Sequence, residues 1–295
     1  MSERPLVSIL TPSLNHGAFL SACLQSVREQ TYPNLEHIVQ DGGSTDDSLE
    51  ILSSAPGVFW ESTQDQGQSH ALNLALQRSK GDYIGVLNAD DLYLPKAIAE
   101  AVSWLERHPE IAVVYGDQLN VSPEGEPLNL YSPGSWSFEG LYCVELIPPA
   151  QAAFFRRSSL EKVGFFIDSS LPTCPDYELW VRLGLEFPML YVPQVWAYYR
   201  NHPHSETSQS QMVESMVQAR RTVMERLEST PEYRARLLPL RERAECGLNL
   251  WATLAQLNCR QRLKALPYLQ RAALFTRTDD QKRRLKQAVR RWFRP

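Results

Sequence analysis

The sequence predicts an α/β protein: a Rossmann-like, mostly parallel sheet flanked by helices, followed by an all-α region. Three observations carry this expectation. Short apolar runs alternate with helix-period segments from Leu6 to about Leu119, most runs end in a polar cluster, and after Ser205 the pattern turns helical almost without interruption. Two domains follow, 1–205 and 206–295.

The elements come in order. Candidate strands cover 6–11, 35–40, 58–62, 83–87 and 111–115, and the helices between them cover 17–30, 46–54, 67–79 and 95–107. Gly81-Asp82 and His108-Pro109 punctuate the units. From 120 to 170 the pattern breaks: Pro123, Gly125, Pro127, Pro133, Gly134, Pro148 and Pro149 divide it into loops and short strands, with Trp136, Phe138 and Tyr142 among them. That many aromatic side chains in an irregular stretch read as the wall of a binding cleft. The last part predicts helices over 208–229, 232–258, 260–275 and 279–293. Leu248, Trp251, Leu254, Leu257, Leu263 and Leu266 stand at spacings that suit an antiparallel hairpin.

With 295 residues, 43% of them apolar, the chain can bury a large core. Its five cysteines are odd in number and lack Cys-x-x-Cys spacing, so neither a disulfide framework nor a zinc site is indicated, and a reducing cytosol fits. Met-Ser-Glu-Arg-Pro lacks a basic region followed by an apolar core, and no apolar run reaches the roughly 20 residues that span a bilayer, so neither secretion nor membrane spanning is expected. Charge is unevenly divided. Residues 1–205 hold 11 Lys or Arg against 25 Asp or Glu, a net of −14, whereas 206–295 hold 19 against 9, a net of +10. An acidic first part argues against nucleic acid as its ligand, because phosphate backbones attract basic surfaces.

Five polar clusters lie where an open α/β sheet binds ligands, outside the carboxyl ends of its strands. Thr11, Pro12, Ser13 and Asn15 follow the first strand and offer backbone groups and small polar side chains. Asp41-Gly42-Gly43-Ser44-Thr45-Asp46 follows the second, where a carboxylate can accept a nucleobase N–H. Asp65 and Gly67 open a helix containing Asn73, with N–H groups that form a natural anion site. Asn88, Ala89, Asp90 and Asp91 end the fourth strand, and two adjacent carboxylates suit Mg²⁺ or Mn²⁺ bound together with a phosphorylated substrate. Asp176 stands in the first turn of a helix, within hydrogen-bond reach of a substrate hydroxyl if one binds there. Taken singly, each cluster is equally a βα turn with a helix cap.

Taken together they resemble the inverting glycosyltransferases of family 2, which have the GT-A fold. The resemblance spans about residues 5 to 205 and rests on Val-Ser-Ile-Leu-Thr-Pro-Ser-Leu-Asn from Val7, Gln-Asp-Gly-Gly-Ser-Thr-Asp from Gln40, Gly-Asp-Tyr-Ile-Gly-Val-Leu-Asn-Ala-Asp-Asp from Gly81, Gln-Ala-Ala-Phe-Phe-Arg-Arg from Gln151 and Asp-Tyr-Glu-Leu-Trp from Asp176. It implies transfer of a sugar from a nucleoside-diphosphate donor to a glycan or lipid-linked acceptor, in polysaccharide or glycoconjugate assembly. Asp41 then contacts the donor's base, Thr11 and Pro12 line the base pocket through their backbone, and Asp65 lies beside the nucleoside. Asn88-Ala89-Asp90 occupies the Asp-x-Asp metal motif, with Asp90 the direct ligand of Mn²⁺ or Mg²⁺ and Asp91 a supporting neighbour. Asp176 matches the catalytic base. Tyr198-Tyr199-Arg200-Asn201-His202 resembles the Tyr-Arg-x-His segment, in which Arg200 and His202 approach the diphosphate. Two positions depart from the pattern: Asn88 replaces the usual first Asp, and His70 stands where many relatives have Asp. A metal-dependent nucleotidyltransferase is the rival enzyme class, and it usually has a Gly-rich phosphate loop after the first strand, where this chain has Pro12, Asn15 and His16. A sugar-nucleotide or glycan binding module is the non-enzymatic rival, for which Asp176 is dispensable.

Lys282, Arg283, Arg284, Lys286, Arg290, Arg291 and Arg294 surround Leu285, Val289, Trp292 and Phe293. On a helix this makes a cationic face with an apolar edge, suited to peripheral contact with the inner face of a membrane. The competing reading is a solvated helix packed on the acidic domain.

Overall fold

A computed structural model describes residues 4–203, 205 and 209–293. It divides into two compact units, one of 1–136, 148–169 and 182–201, the other of 137–147, 170–181 and 202–295. The division differs from the boundary read at 205/206, because 137–147 and 170–181 join the helical unit.

The first unit contains the whole sheet. Its strands are β1 (Val7–Ser13), β2 (Leu35–Asp41), β3 (Val58–Ser62), β4 (Tyr83–Val86), β5 (Leu92–Tyr93), β6 (Val113–Val121), β7 (Pro127–Tyr131), β8 (Ala153–Arg156) and β9 (Met189–Arg200). They run in the order β3-β2-β1-β4-β8-β6-β9-β5, with β7 beside β6. Half of this sheet is parallel throughout: β1 pairs with β2 and β4, and β2 pairs with β3. Beyond β4 it is mixed, since β8 runs antiparallel to both β4 and β6 while β9 lies parallel to β6. β1 is buried along its full length, as a central parallel strand covered on both faces should be.

Helices α1 (Gly17–Arg28), α2 (Ser48–Ser53) and α3 (Gln68–Arg78) connect the parallel strands, and α4 (Ala97–Arg107) runs from β5 to β6. α4 shows why: Ala97, Ile98, Ala101, Val102 and Leu105 recur on one face and are buried, and each of the larger side chains contributes about 1.5–3 kcal/mol by leaving water. They pack into the main core with Val7, Ile9, Tyr83, Leu87, Phe154 and Trp196. The short α5 (Phe138–Tyr142) and α6 (Arg157–Lys162) follow, and then α7 (Pro175–Glu186), whose first residues belong to the second unit.

The second unit is helical. α8 (Ser210–Ser229) and α9 (Pro231–Leu237) lead through a 3₁₀ turn at Leu238–Leu240 into α10 (Arg241–Asn258), α11 (Arg262–Phe275) and α12 (Asp279–Trp292). Pro239 interrupts the long helix expected over 232–258. α10 and α11 form the antiparallel hairpin, with Cys246 against Ala272 and a full capping box of Thr278 and Gln281 opening α12. Its inner face differs from the expectation. Leu263 is 85% exposed and Leu266 39%, while Ala265, Tyr268 and Ala272 are buried. The two leucines lie on the opposite stripe of the helix from the small residues that meet α10.

Candidate active site

The carboxyl ends of β1, β2, β3 and β4 form one continuous edge of the first unit, because these strands are neighbours and parallel. The loops that leave them are tied to each other. Asn15 adopts a left-handed backbone (φ 56°), a conformation Asn tolerates better than most residues. There its N–H donates to Ser44 Oγ at 2.8 Å, and its Oδ1 accepts from the Thr45 N–H at 2.8 Å. The β1 and β2 loops are thus stapled together. Thr11, Pro12 and Ser13 are buried. Thr11 Oγ1 bonds His37 Nε2 at 2.9 Å, whereas the buried Ser13 hydroxyl has no hydrogen-bond partner among the described residues.

Asp41 is fully buried at the end of β2. Its Oδ2 accepts from the N–H groups of Gly43 (3.0 Å) and Ser44 (2.9 Å) and from the Ser62 hydroxyl (2.6 Å), and its Oδ1 accepts from the Ser44 hydroxyl. The carboxylate therefore organises its own loop and joins it to β3. Only the two serine hydroxyls, which rotate, can give way to a nucleobase. Asp65 approaches the same loop so closely that a methyl group on Gly42 would meet its Oδ2 at 2.8 Å. Gly67 then takes a φ of 103° that side chains disfavour, which lets its N–H donate to Asp65 Oδ1 at 2.8 Å as α3 begins. His70, the departure noted above, accepts at Nδ1 from the Gln66 N–H at 3.3 Å and closes this turn. Asn73 was expected to face the ligand, but its amide is engaged by both backbone groups of Ile167, each at 2.8 Å.

The third cluster reaches the fourth through Gln68, whose Nε2 donates to Asn88 Oδ1 at 2.8 Å. The Asn88 amide in turn donates to Asp91 Oδ2 at 3.3 Å. Asp91 is fully buried and its Oδ1 accepts from the Arg200 N–H at 2.9 Å. Burial, and next the neighbouring Asp90 charge, push its carboxyl well above the usual range. Ala89 is buried between them, and Asp90 alone of the pair is partly exposed. Arg200 is 7% exposed: its Nε donates to the Asp90 carbonyl at 3.0 Å, its Nη1 to the Pro123 carbonyl, and its guanidinium lies 4.9 Å from the centre of the Phe19 ring. It braces the backbone at Asp90 from β9.

No group of three or more His, Cys, Asp or Glu is gathered among the described residues. The donor set nonetheless fits a hard divalent cation held with a diphosphate, which needs one or two carboxylates and takes its remaining oxygens from phosphate and water. Asp90 is the one carboxylate of the motif with exposed surface.

Asp176 and His202 belong to the second unit. Pro175 at the first position of α7 supplies a φ suited to a helix start, and Asp176 follows, half-buried, while Tyr177, Leu179, Trp180 and Leu183 turn inward. The Tyr177 N–H donates to Asp176 Oδ1 at 2.9 Å, and the Tyr177 hydroxyl to the Tyr142 carbonyl at 2.8 Å. His202 is 8% exposed and closes a turn with Ser205, its N–H donating to Ser205 Oγ at 3.2 Å. Gln68, Ser44, Ser62 and Phe19 join these clusters only through the folded structure. The first three could have been found from the strand order 3-2-1-4, which makes each loop end the neighbour of the next; Phe19 had no local signal.

Comparison with known proteins gives the family and the fold. The sequence profile described as Glycosyl transferase family 2 matches residues 8–164, more than half of the chain. The chain is 30% identical over 201 residues to chondroitin synthase of Escherichia coli, covering 65% of this chain and 28% of that one, and 34% identical over 185 residues to hyaluronan synthase of Pasteurella multocida, covering 61% and 19%. It therefore spans less than a third of the length of these two relatives. Among solved structures, it resembles S. aureus TarS with a TM-score of 0.64 at 16% identity, over 97% of this chain and 53% of that one. It also resembles the mannosyltransferase PcManGT of Pyrobaculum calidifontis, solved with GDP-Man and Mn²⁺, with a TM-score of 0.63 at 20% identity over 98% and 81%. Sheet order, loop-end clusters and profile agree on the GT-A fold, and the chain belongs to glycosyl transferase family 2.

Proposed function

We propose that this chain moves a sugar from a nucleoside diphosphate to a hydroxyl of a glycan or lipid-linked acceptor, with inversion, in polysaccharide or glycoconjugate assembly. One observation carries the reading: the chain of bonds from Asn15 through Ser44, Asp41 and Ser62, with Gln68, Asn88, Asp91 and Arg200 beside it, ties four strand ends into one polar rim that ends in an accessible Asp90. The solved relatives bound to UDP-GlcNAc and to GDP-Man with Mn²⁺ support a nucleotide-sugar donor here.

In this reading Ser13 and the Asp41 loop receive the nucleoside, with Asp65 beside it. Asp90 would hold a divalent cation, Mn²⁺ or Mg²⁺, which when bound would supply positive charge beside the diphosphate. Arg200 fixes the carbonyl side of that loop, and His202 serves the diphosphate. Asp176 accepts the acceptor's hydroxyl proton as the new oxygen–carbon bond forms. The sugar–phosphate bond breaks and its electron pair leaves with the diphosphate. Direct displacement inverts the anomeric carbon and requires no covalent enzyme intermediate.

The test is release of UDP from UDP-GlcNAc or of GDP from GDP-mannose, with Mn²⁺. Asp176→Asn should lower turnover by about 10²–10⁴ with nucleotide binding retained. Wild-type turnover in that variant would remove the base assignment. Asp90→Ala should abolish the Mn²⁺ dependence of nucleotide binding; an unaltered Mn²⁺ requirement would remove the metal assignment.

We also infer peripheral contact with an anionic membrane surface through the C-terminal helices. α12 turns Leu285 and Ala288 inward and Lys282, Lys286, Val289, Arg290 and Phe293 outward. α11 contains no acidic residue, and its outer stripe of Leu263, Leu266, Pro267 and Leu274 is flanked by Arg262, Lys264 and Arg271. Apolar side chains bordered by cations are the composition of an interfacial helix.

A further inference from the structure

We propose that Arg220, on α8, is a positioning residue for the transfer reaction: it holds Tyr177, and through Tyr177 the first turn of α7 that presents Asp176. The proposal rests on Asp176 being the base and goes beyond that reading to helices outside the region the family profile matches.

Arg220 is 5% exposed, yet its Nε and Nη1 are buried with no hydrogen-bond partner, and it has no ion-pair partner among the described residues. Hydrogen bonds and ion pairs do not account for such a residue. A buried guanidinium without an anion is unfavourable, and an apolar side chain of similar volume is often neutral or better in its place. What Arg220 does touch is two aromatic faces. Its guanidinium carbon lies 3.8 Å from the centre of the Trp251 ring on α10 and 5.7 Å from the centre of the Tyr177 ring. Attraction between a cation and a ring face strengthens when both are removed from water.

Tyr177 is the residue next to Asp176 and is fully buried. Its hydroxyl is fixed by the Tyr142 carbonyl at 2.8 Å, and its N–H bridges to Asp176 Oδ1 at 2.9 Å and to the Cys174 carbonyl at 3.1 Å. Arg220 supplies the remaining hold, on the ring face. A second tie from α8 reaches the same turn, since Ser215 Oγ lies 3.3 Å from Thr173 Oγ1. Between them Cys174 has a φ of 54°, a left-handed conformation that a side chain adopts only where its surroundings impose it. The helical unit therefore grips residues 173–177 from one helix at two points five residues apart. Proton transfer depends steeply on the placement of the base, and a displacement of about 1 Å can lower a rate by roughly a hundredfold.

The experiment compares Arg220→Met, Arg220→Lys, Asp176→Asn and the Asp176→Asn/Arg220→Met double variant in the full chain. It measures kcat and donor KM for UDP-GlcNAc and GDP-mannose, with Tm alongside. Arg220→Met should lower kcat by about tenfold to a hundredfold, leave donor KM within about twofold and leave Tm equal or raised. Arg220→Lys should recover part of the loss. The double variant should be no slower than Asp176→Asn, because a base that is absent cannot be mispositioned. Wild-type kcat in Arg220→Met beside an inactive Asp176→Asn would overturn the proposal and leave the base in place. So would a loss of kcat that comes only with a lowered Tm and a raised donor KM. Wild-type kcat in Asp176→Asn would remove the base reading and this proposal with it.

Discussion

Gly42→Ala tests whether the β2 loop and Asp65 form one nucleoside pocket. A methyl group at residue 42 would lie 2.8 Å from Asp65 Oδ2, 3.2 Å from its Cγ and 3.4 Å from its Oδ1. Ordinary contact begins near 3.4 Å, so the carboxylate must retreat by about 0.6 Å. Asp65 can move only by loosening the 2.8 Å bond that its Oδ1 accepts from the Gly67 N–H. The retreating carboxylate also leaves the nucleoside it is proposed to bond; a hydrogen bond to a charged group is worth about 1.5–3 kcal/mol, and losing that contact at the lower figure weakens binding about tenfold. The fold itself should change little, because Asp65 is only half-buried and replacing Gly by Ala restricts the unfolded chain by about 0.4–1 kcal/mol. Calorimetric titration with UDP and with GDP at fixed Mn²⁺, beside urea unfolding, reads both quantities. Nucleotide affinity equal to wild type would refute the pocket. Asp65→Ala supplies the control: in that background Gly42→Ala has no carboxylate to strike, so an equal further loss there would refute the route through Asp65.

Two further outcomes follow from other parts of the molecule. Burial pushes the His37 imidazole down to about 3 from an ordinary 6.5, so the unfolded chain takes a proton that the folded chain does not between those values. Stability is then full above about pH 6.5 and falls with pH toward 3, by about 2 kcal/mol at pH 5 from this residue. Urea unfolding across that range should show the slope, and His37→Gln should lose one proton's share of it; an identical slope in both proteins would sink the assignment. At the other end, Leu263→Gln with Leu274→Gln should weaken binding to phosphatidylglycerol-containing vesicles about tenfold or more while leaving the helical circular dichroism intact, since the two leucines are 85% and 68% exposed. Undiminished vesicle binding, or no vesicle binding by the parent protein, would remove the membrane contact.

The strands and helices up to α4 are legible in the sequence because each rests on a local period, except the two-residue β5, which is too short to show one and exists through its pairing with β9. β3 matches its expected bounds, and α1 and α4 end within two residues of theirs. β6 extends to Val121, well past its expected end, because β7 and β9 supply partners for it. β8 and β9 gave no usable local signal: one has four residues, and the other contains Pro193 and an irregular burial pattern that only its pairing with β6 explains. The Pro-rich middle was read as one wall. It instead divides between the two units, because Phe138, Leu141 and Tyr142 are buried among side chains of the helical part, including Arg236 and Glu228.

Residue types and their spacing determined by themselves that oxygen-rich clusters end successive strands, that two carboxylates stand adjacent at 90 and 91, and that the last ninety residues are basic and helical. Only the tertiary structure decided which members of those clusters remain available. Asp91, Asn73 and Arg200 look from the sequence as open to a ligand as any residue of the clusters, yet long-range bonds to Arg200, Ile167 and Pro123 engage them. Whether a polar side chain is left over for a ligand depends on partners that folding brings from distant parts of the chain.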